Sequence, residues 1–156
     1  EQIVLLNDEN VNSYLRTEEV GNMASVSSAV PRVREKLLSL QRKLARDMSV
    51  VMDGRDIGTT ILPDADVKIY LTASSLTRAK RRYLELQEKG TVCNLDEIQK
   101  DIEERDQRDM NREISPLRQA EDAVLVDSSD LTIQQVVDRI LQIFRSKTAG
   151  EKSHES

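Results

Sequence analysis

Cysteine and histidine each occur once among the 156 residues, as Cys93 and His154, and tryptophan is absent. A single cysteine excludes a disulfide framework and a cysteine zinc site. A single histidine in a polar tail leaves little room for a Ser-His-Asp, Cys-His or histidine-metal mechanism. Three tyrosines and one phenylalanine are the only aromatic residues, so binding of single-stranded nucleic acid by base stacking has little support.

Long apolar runs are also missing, and no signal peptide is visible, so we expect a cytoplasmic protein that does not enter a membrane. Charged residues make up 33% of the chain, hydrophobic residues 38%, and the net charge is −5. This composition predicts one domain with a real core and a heavily charged surface. The negative charge argues against a general nucleic-acid surface. Phosphate binding would therefore depend on local clusters of arginine.

Strand-like and helix-like segments alternate along the chain, which predicts an α/β fold with a mostly parallel sheet. Apolar runs predict strands at 3–6, 50–52, 66–71 and 123–126, the first of them in a hairpin with 11–15. Helices are predicted at 17–25, 31–46, 75–88, 95–112 and 133–144. The expected caps are Ser74 or Ser75, Asn94 with Glu97, and Thr132 with Gln135. The helix at 31–46 has an apolar face of Val33, Leu37, Leu40 and Leu44. Residues beyond 145 have the composition of a disordered tail.

The predicted strand at 50–52 is followed directly by Asp53, Gly54, Arg55 and Asp56. Apolar residues without alternation suit a strand buried on both faces of a parallel sheet, and ligands of such sheets bind at the carboxyl ends of strands. Arginine offers a planar fork for phosphate, and an aspartate at a strand end can hold Mg²⁺ directly or through water. A strand end followed by a solvated turn fits the spacing equally well.

Three arginines and one aspartate form a stripe on the helix predicted at 95–112. On a helix, Arg105, Arg108, Asp109 and Arg112 fall within an arc of about 100°. Asp109 could offset the repulsion between the guanidinium groups by bridging to Arg105 and Arg112, and a polyphosphate would do so more strongly. A solvated, salt-bridged helix is the alternative interpretation. The basic residues of the preceding helix are expected to be solvated: Arg78, Lys80, Arg81 and Arg82.

Several motifs occur in one order along the chain. They are Pro31-Arg32-Val33-Arg34-Glu35, Asp53-Gly54-Arg55-Asp56-Ile57-Gly58-Thr59, Glu104-Arg105-Asp106-Gln107-Arg108-Asp109 with Arg112, and Asp127-Ser128-Ser129. As a set they closely resemble the bacterial cytidylate kinase family over about residues 1–147. The resemblance implies a P-loop nucleoside monophosphate kinase fold, in which a parallel-sheet core with helices on both faces carries a monophosphate-binding insert and a lid.

The resemblance also implies a reaction, the transfer of the γ-phosphoryl group of ATP to CMP or dCMP with Mg²⁺. The implied partners are these small nucleotides, without nucleic acid or membrane. By the same resemblance, Ser25, Arg34 and Asp56 would contact the cytosine. An aspartate suits this role because cytosine offers a hydrogen-bond donor at N4.

The remaining roles implied by the resemblance concern phosphate and sugar. Arg55 would hold the acceptor phosphate, and Asp109 with Arg105 would reach the acceptor sugar and the phosphates. Arg105 and Arg112 would neutralise charge on the transferring group. Asp53 stands where a Walker-B-type acid would and could bind Mg²⁺ through water. Such roles make physical sense because phosphoryl transfer depends on positioning and charge neutralisation.

The phosphate loop of this family, G-x-x-x-x-G-K-[ST], does not occur in the 156 residues. We therefore expect a fragment in which 1–25 end the monophosphate-binding insert, 26–147 form the core with a lid at about 78–112, and 148–156 are disordered. A fragment of this kind would lack kinase activity by itself and could self-associate through exposed strand edges. The alternative function is a non-catalytic nucleotide-binding or structural α/β domain.

Overall fold

The computed structural model describes residues 3–15, 17–28 and 30–151. It divides into two compact units, Glu1–Val51 and Met52–Ser156. The division lies after Val51, whereas the boundary predicted from the sequence lies after residue 25. The long helix that follows Pro31 therefore belongs with the first unit.

The first unit opens with an antiparallel hairpin of β1 (Leu5–Leu6) and β2 (Glu9–Asn10). Asn7 and Asp8 form its turn with φ angles of 51° and 67°. A two-residue hairpin turn of type I′ has positive φ at both positions, and Asn and Asp tolerate this conformation better than other residues with a side chain. The hairpin was predicted, but its second strand was wrongly placed at 11–15. The turn closes earlier because Asn7 and Asp8 fit it.

Two helices complete the first unit, α1 (Glu18–Ser28) and α2 (Pro31–Asp47). Thr17 caps α1, since its Oγ1 accepts a hydrogen bond from Val20 N at 3.3 Å. Pro31 stands at the start of α2, where a missing N–H costs no helical hydrogen bond. No described residue of α2 is buried. The predicted apolar face of α2 is between 39% and 48% exposed at Val33, Leu37, Leu40 and Leu44.

The second unit is built on a parallel pair of strands, β3 (Ile69–Thr72) and β4 (Val124–Asp127). Ile69 lies opposite Val124, and Thr72 lies opposite Asp127. This pair confirms the predicted α/β class with a parallel sheet, although β3 begins three positions later than expected. The buried apolar side chains of the described residues all lie in this unit: Ile61, Ala73, Ala79, Val126 and Ile143.

The strand predicted at residues 50–52 is not formed. These residues have no regular secondary structure, and Val51 is fully exposed. An apolar run becomes a strand only where a neighbouring strand pairs with its backbone, and within the described part of the chain none does. A turn of π-helix, Ile57–Ile61, follows instead, and the Asp56 carbonyl oxygen accepts hydrogen bonds from Thr60 N and Ile61 N at 2.9 and 3.2 Å.

The helices of the second unit are α3 (Ser75–Glu88), α4 (Leu95–Asn111) and α5 (Ile133–Glu151). Their predicted caps are confirmed. Ser74 Oγ accepts from Thr77 N, and Asn94 Oδ1 accepts from the backbone N–H groups of Asp96 and Glu97. At the start of α5, Thr132 N donates to Gln135 Oε1 at 2.8 Å while Gln135 N donates to Thr132 Oγ1 at 3.2 Å.

Helix α5 continues to Glu151, so the prediction of a disordered tail after residue 145 is wrong up to that point. The segment contains no proline, and Lys147 Nζ anchors it by donating to the carbonyl oxygen of Asp122 at 3.1 Å. Residues 152–156 of the predicted tail lie outside the described residues. None of the helices among the described residues is both long and apolar enough to cross a membrane.

Candidate functional site

Arg55 and Asp109 are 54 positions apart in the chain, and the fold of the second unit joins them. Arg55 Nε donates to Asp109 Oδ2 at 2.9 Å. The Asp109 side chain is 11% exposed, and that of Arg55 is 43% exposed. Because the bond uses only Nε, the two Nη atoms of this partly exposed arginine keep their donors for another partner. These two atoms have the parallel donors that bind a phosphate in bidentate fashion.

Asp109 is the one buried residue of α4. Its carbonyl oxygen accepts from Leu117 N at 2.8 Å, so the chain that follows α4 folds back against it. The expected bridge from Asp109 to Arg105 and Arg112 is not formed. A side chain that points into the protein meets a partner from another segment, here Arg55, rather than an exposed neighbour on its own helix.

The three arginines of the predicted stripe have different environments. Arg105 and Arg108 are exposed on α4, and neither makes an ion pair with another described residue. Arg112 is half-buried just after the helix, where its Nε donates to the carbonyl oxygen of Ser115 at 2.6 Å. Near Asp109 on α4, the guanidinium groups of Arg105 and Arg108 are thus left without an ion pair among the described residues. The guanidinium group of Arg112 is held near the end of the helix by its bond to Ser115.

Asp53 and Asp56 flank Arg55 and differ in exposure. Asp56 is buried, whereas Asp53 is exposed. Among the described residues, no group of three histidine, cysteine, aspartate or glutamate side chains could hold a metal ion. Asp53 by itself could offer a metal ion one carboxylate.

Two predicted cytosine contacts, Ser25 and Arg34, belong to the first unit. Ser25 lies in α1, and its side chain is outside the described part of the chain. Arg34 is half-buried in the first turn of α2. Their contact with a base remains a prediction, as does that of Asp56 in the second unit.

An ion pair between α3 and α4 was not predicted from the sequence. Arg78 donates through Nη1 to Asp106 Oδ1 at 2.9 Å and through Nη2 to Asp106 Oδ2, while its Nε donates to the Ala73 carbonyl oxygen at 3.0 Å. The hydrogen bonds to Asp106 raise the pKa of Arg78. The prediction that Arg78 is solvated is therefore wrong. Only the packing of two helices brings it to Asp106, and no spacing within the chain signals that packing.

Arg81, also predicted to be solvated, connects α3 to the end of β4. Its Nη2 donates to the Ser128 carbonyl oxygen at 2.6 Å. Ser128 is buried and its hydroxyl donates to Thr72 O at 3.0 Å. Nearby, Ser74 N donates to Ser129 Oγ at 2.9 Å. These bonds fix the carboxyl edge of the sheet, where the predicted strand exit Asp127-Ser128-Ser129 lies.

A buried lysine holds the opposite edge of the sheet. Lys68, just before β3, donates through Nζ to the carbonyl oxygen of Pro63 and to Asp122, with Nζ 2.7 Å from Asp122 Oδ2. The Lys68 hydrogen bond lowers the pKa of Asp122 below its ordinary value. Polar contacts therefore hold the short sheet at both the amino and the carboxyl ends of its strands.

Comparison of the chain with known proteins identifies its family. The family model described as cytidylate kinase matches residues 1–146. The chain is 50% identical over 147 residues to a cytidylate kinase of Lactobacillus johnsonii, covering 94% of this chain and 64% of that protein. It is 51% identical over 146 residues to one from Enterobacter sp., with the same two coverages, 94% and 64%. The chain thus spans somewhat less than two thirds of the length of these relatives, and it belongs to the cytidylate kinase family.

Proposed function

We propose that this chain supplies the acceptor-binding and lid residues of a kinase that transfers the γ-phosphoryl group of ATP to CMP or dCMP. The observation that carries the proposal is the Arg55–Asp109 pair, in which a buried carboxylate holds one edge of a half-exposed guanidinium group. The two Nη atoms keep parallel donors, which match the oxygens of a nucleoside monophosphate. The names of the relatives support CMP as that nucleotide.

In this proposal the remaining arginines act on the charge of the reacting phosphates. Arg105 lies one turn before Asp109 and is exposed, so it can move toward a ligand without breaking an ion pair. Arg112 would add a second positive charge once its bond to Ser115 is exchanged for phosphate. Neutralising charge and holding the phosphates in line is most of what phosphoryl transfer requires.

The cytosine contacts are proposed for Ser25, Arg34 and Asp56. A buried carboxylate such as Asp56 is suited to accept from the N4 amino group of cytosine, which uracil lacks. Discrimination against UMP would then arise at this residue, because the O4 oxygen of uracil would face the carboxylate with no donor between them.

Magnesium enters this proposal as part of MgATP, the co-substrate. Mg²⁺ keeps several waters and is commonly held by one or two carboxylates together with substrate phosphates. Asp53 would contribute at most one water-mediated contact of this kind. A cytoplasmic location, where ATP and CMP are available, accompanies the proposal.

Binding of nucleotides to the purified 156-residue chain tests the proposal. We expect isothermal titration to show CMP and dCMP binding, with UMP binding more weakly. Arg55→Ala should weaken CMP binding by tenfold or more, because a charge-assisted contact contributes about 1.5–3 kcal/mol. Arg118→Ala removes an exposed arginine of the same unit and should leave CMP binding unchanged. Equal affinity of the chain for CMP before and after Arg55→Ala would contradict the proposal.

A non-catalytic nucleotide-binding domain remains the second candidate, and the absence of a G-x-x-x-x-G-K-[ST] pattern from these residues favours it for the chain by itself. The amides and lysine of that loop position the β- and γ-phosphates of ATP. We therefore expect a coupled assay of the isolated chain to give no turnover with ATP and CMP. Turnover above the rate without enzyme would show that the chain positions ATP in another way.

A further inference from the structure

The inner side of α4 changes in character along the helix. Three half-buried residues of its first half are apolar, namely Leu95, Ile98 and Ile102, and they lie beside half-buried Gln99. The same helical spacing continues to half-buried Asp106 and buried Asp109. Apolar side chains therefore predominate on the inner side of the first half of α4, whereas two carboxylates occupy that side in the second half.

Each of the two carboxylates meets a different arginine. Asp106 receives both Nη atoms of Arg78, and Asp109 receives Nε of Arg55. The third donor of Arg78, its Nε, bonds to the carbonyl oxygen of Ala73, directly after β3. One guanidinium group thus ties the second half of α4 to the end of a strand.

We infer that Arg78 and Asp106 are positioning residues for Arg55. They fix the second half of α4 relative to β3, so that Asp109, one turn further along, meets Arg55 Nε and leaves the two Nη atoms available for a ligand. The inference rests on the proposed function of Arg55 as the acceptor-phosphate ligand. Polar contacts are well suited to positioning α4 because their directed hydrogen bonds form in only one alignment of the two elements. Apolar packing, in contrast, tolerates small shifts of one element along the other.

The geometry also defines which substitutions should matter. Lysine at position 78 keeps the positive charge but cannot bond to Asp106 and to the Ala73 carbonyl in the same planar arrangement. A second contact one turn earlier, Ser75 Oγ to Glu103 Oε1 at 2.7 Å, lies on the side of α4 that faces the start of α3. That contact should keep the two helices associated when Arg78 is replaced, so the variant should fold.

The test uses the full 156-residue chain with ¹⁵N-labelled arginine. The side-chain N–H signal of Arg55 Nε reports directly on its bond to Asp109. We expect Arg78→Lys and Asp106→Asn each to increase solvent exchange of this signal and to weaken CMP binding by about tenfold. Arg82→Lys is the matched control, because Arg82 pairs with Glu85 on its own helix and should change neither quantity.

The outcomes separate the inference from the proposed function. An Arg55 signal that remains protected in folded Arg78→Lys and Asp106→Asn would overturn the inference. If the original chain does not bind CMP, the proposed function fails, while the Arg55 signal still decides whether Arg78 and Asp106 position it. If Arg78→Lys loses the helical circular dichroism signal and is therefore unfolded, the test rests on Asp106→Asn, because asparagine keeps the shape of the aspartate side chain. If both variants unfold, the pair is a general stability contact and the inference is overturned.

Discussion

Helices α2 and α4 each contain 17 residues, and their burial is opposite to what their sequences suggest. Helix α2 has a regular apolar stripe, yet none of its described residues is buried. Helix α4 is highly polar, and its buried residue is an aspartate. An apolar stripe therefore indicates which face of a helix is suited to burial. Whether that face is buried depends on which other elements of the unit pack against it.

The largest effect is expected where α4 meets Arg55. Asp109→Asn keeps the shape of the side chain but removes the charge that holds Arg55 Nε, so we expect CMP binding to weaken by tenfold or more, or about 1.5–3 kcal/mol. Isothermal titration against the original chain measures this change. Asp101→Asn, on the exposed side of the same helix, is the control. If both variants bind CMP equally well, Asp109 has only a structural role.

A smaller effect should follow from breaking the contact between α3 and α4. Arg78→Ala leaves Asp106 and the Ala73 carbonyl oxygen without their partner, and we expect the free energy of unfolding to fall by about 1–2 kcal/mol, reduced by partial solvent exposure. Urea denaturation followed by circular dichroism measures the change. Lys80→Ala, an exposed residue of α3, should cost less than 0.5 kcal/mol by the same criterion, roughly the limit for surface positions. Equal losses would mean that the pair contributes nothing beyond a surface contact.

Acid should weaken the lysine contact at the other edge of the sheet. The pKa of Asp122 is lowered in the folded chain by the Lys68 hydrogen bond, so its contribution to stability is full above the ordinary carboxyl value and is lost as the pH falls through the lowered value. We expect the urea midpoint to fall in this acidic range. Asp122→Asn should remove that part of the pH dependence, and an unchanged pH profile would contradict the assignment.

The smallest effect is expected in α2, where the apolar pattern is strongest. Leu40→Gln should change the free energy of unfolding by less than about 0.5 kcal/mol, because this side chain is already 48% exposed. Ile143→Val in α5 removes one methylene from a buried side chain and should cost about 0.5–1.5 kcal/mol. A larger loss from Leu40→Gln than from Ile143→Val would show that the α2 stripe is covered in solution.

Local chemistry was predictable from the sequence. The capping box of Thr132 and Gln135 and the Asn94 cap depend on neighbouring residues alone, and they formed as expected. The parallel pairing of β3 and β4 followed from the alternation of strands and helices. The predicted strand at residues 50–52 failed because a strand also needs a partner, which a single segment cannot specify.

Pairing between residues that are distant in the chain was less predictable from the sequence. The motifs pointed to Arg55 and Asp109 as members of one site, but their direct bond depends on which side of α4 faces inward. Arg78 looked solvated because it stands among other basic residues. Its partner Asp106 lies on the next helix, and only the packing of α4 against α3 could have identified it.

The pairing of Arg55 with Asp109 has a consequence for the kinetics of nucleotide capture. A guanidinium group that is already neutralised exerts little field at a distance, so attraction of a phosphate through solvent falls to exposed Arg105 and Arg108, on a chain whose net charge is −5. Raising the salt concentration screens such exposed charges over about 10 Å or less and should slow the encounter. The lifetime of the complex, by contrast, should depend on the fork of Arg55 and be nearly independent of salt.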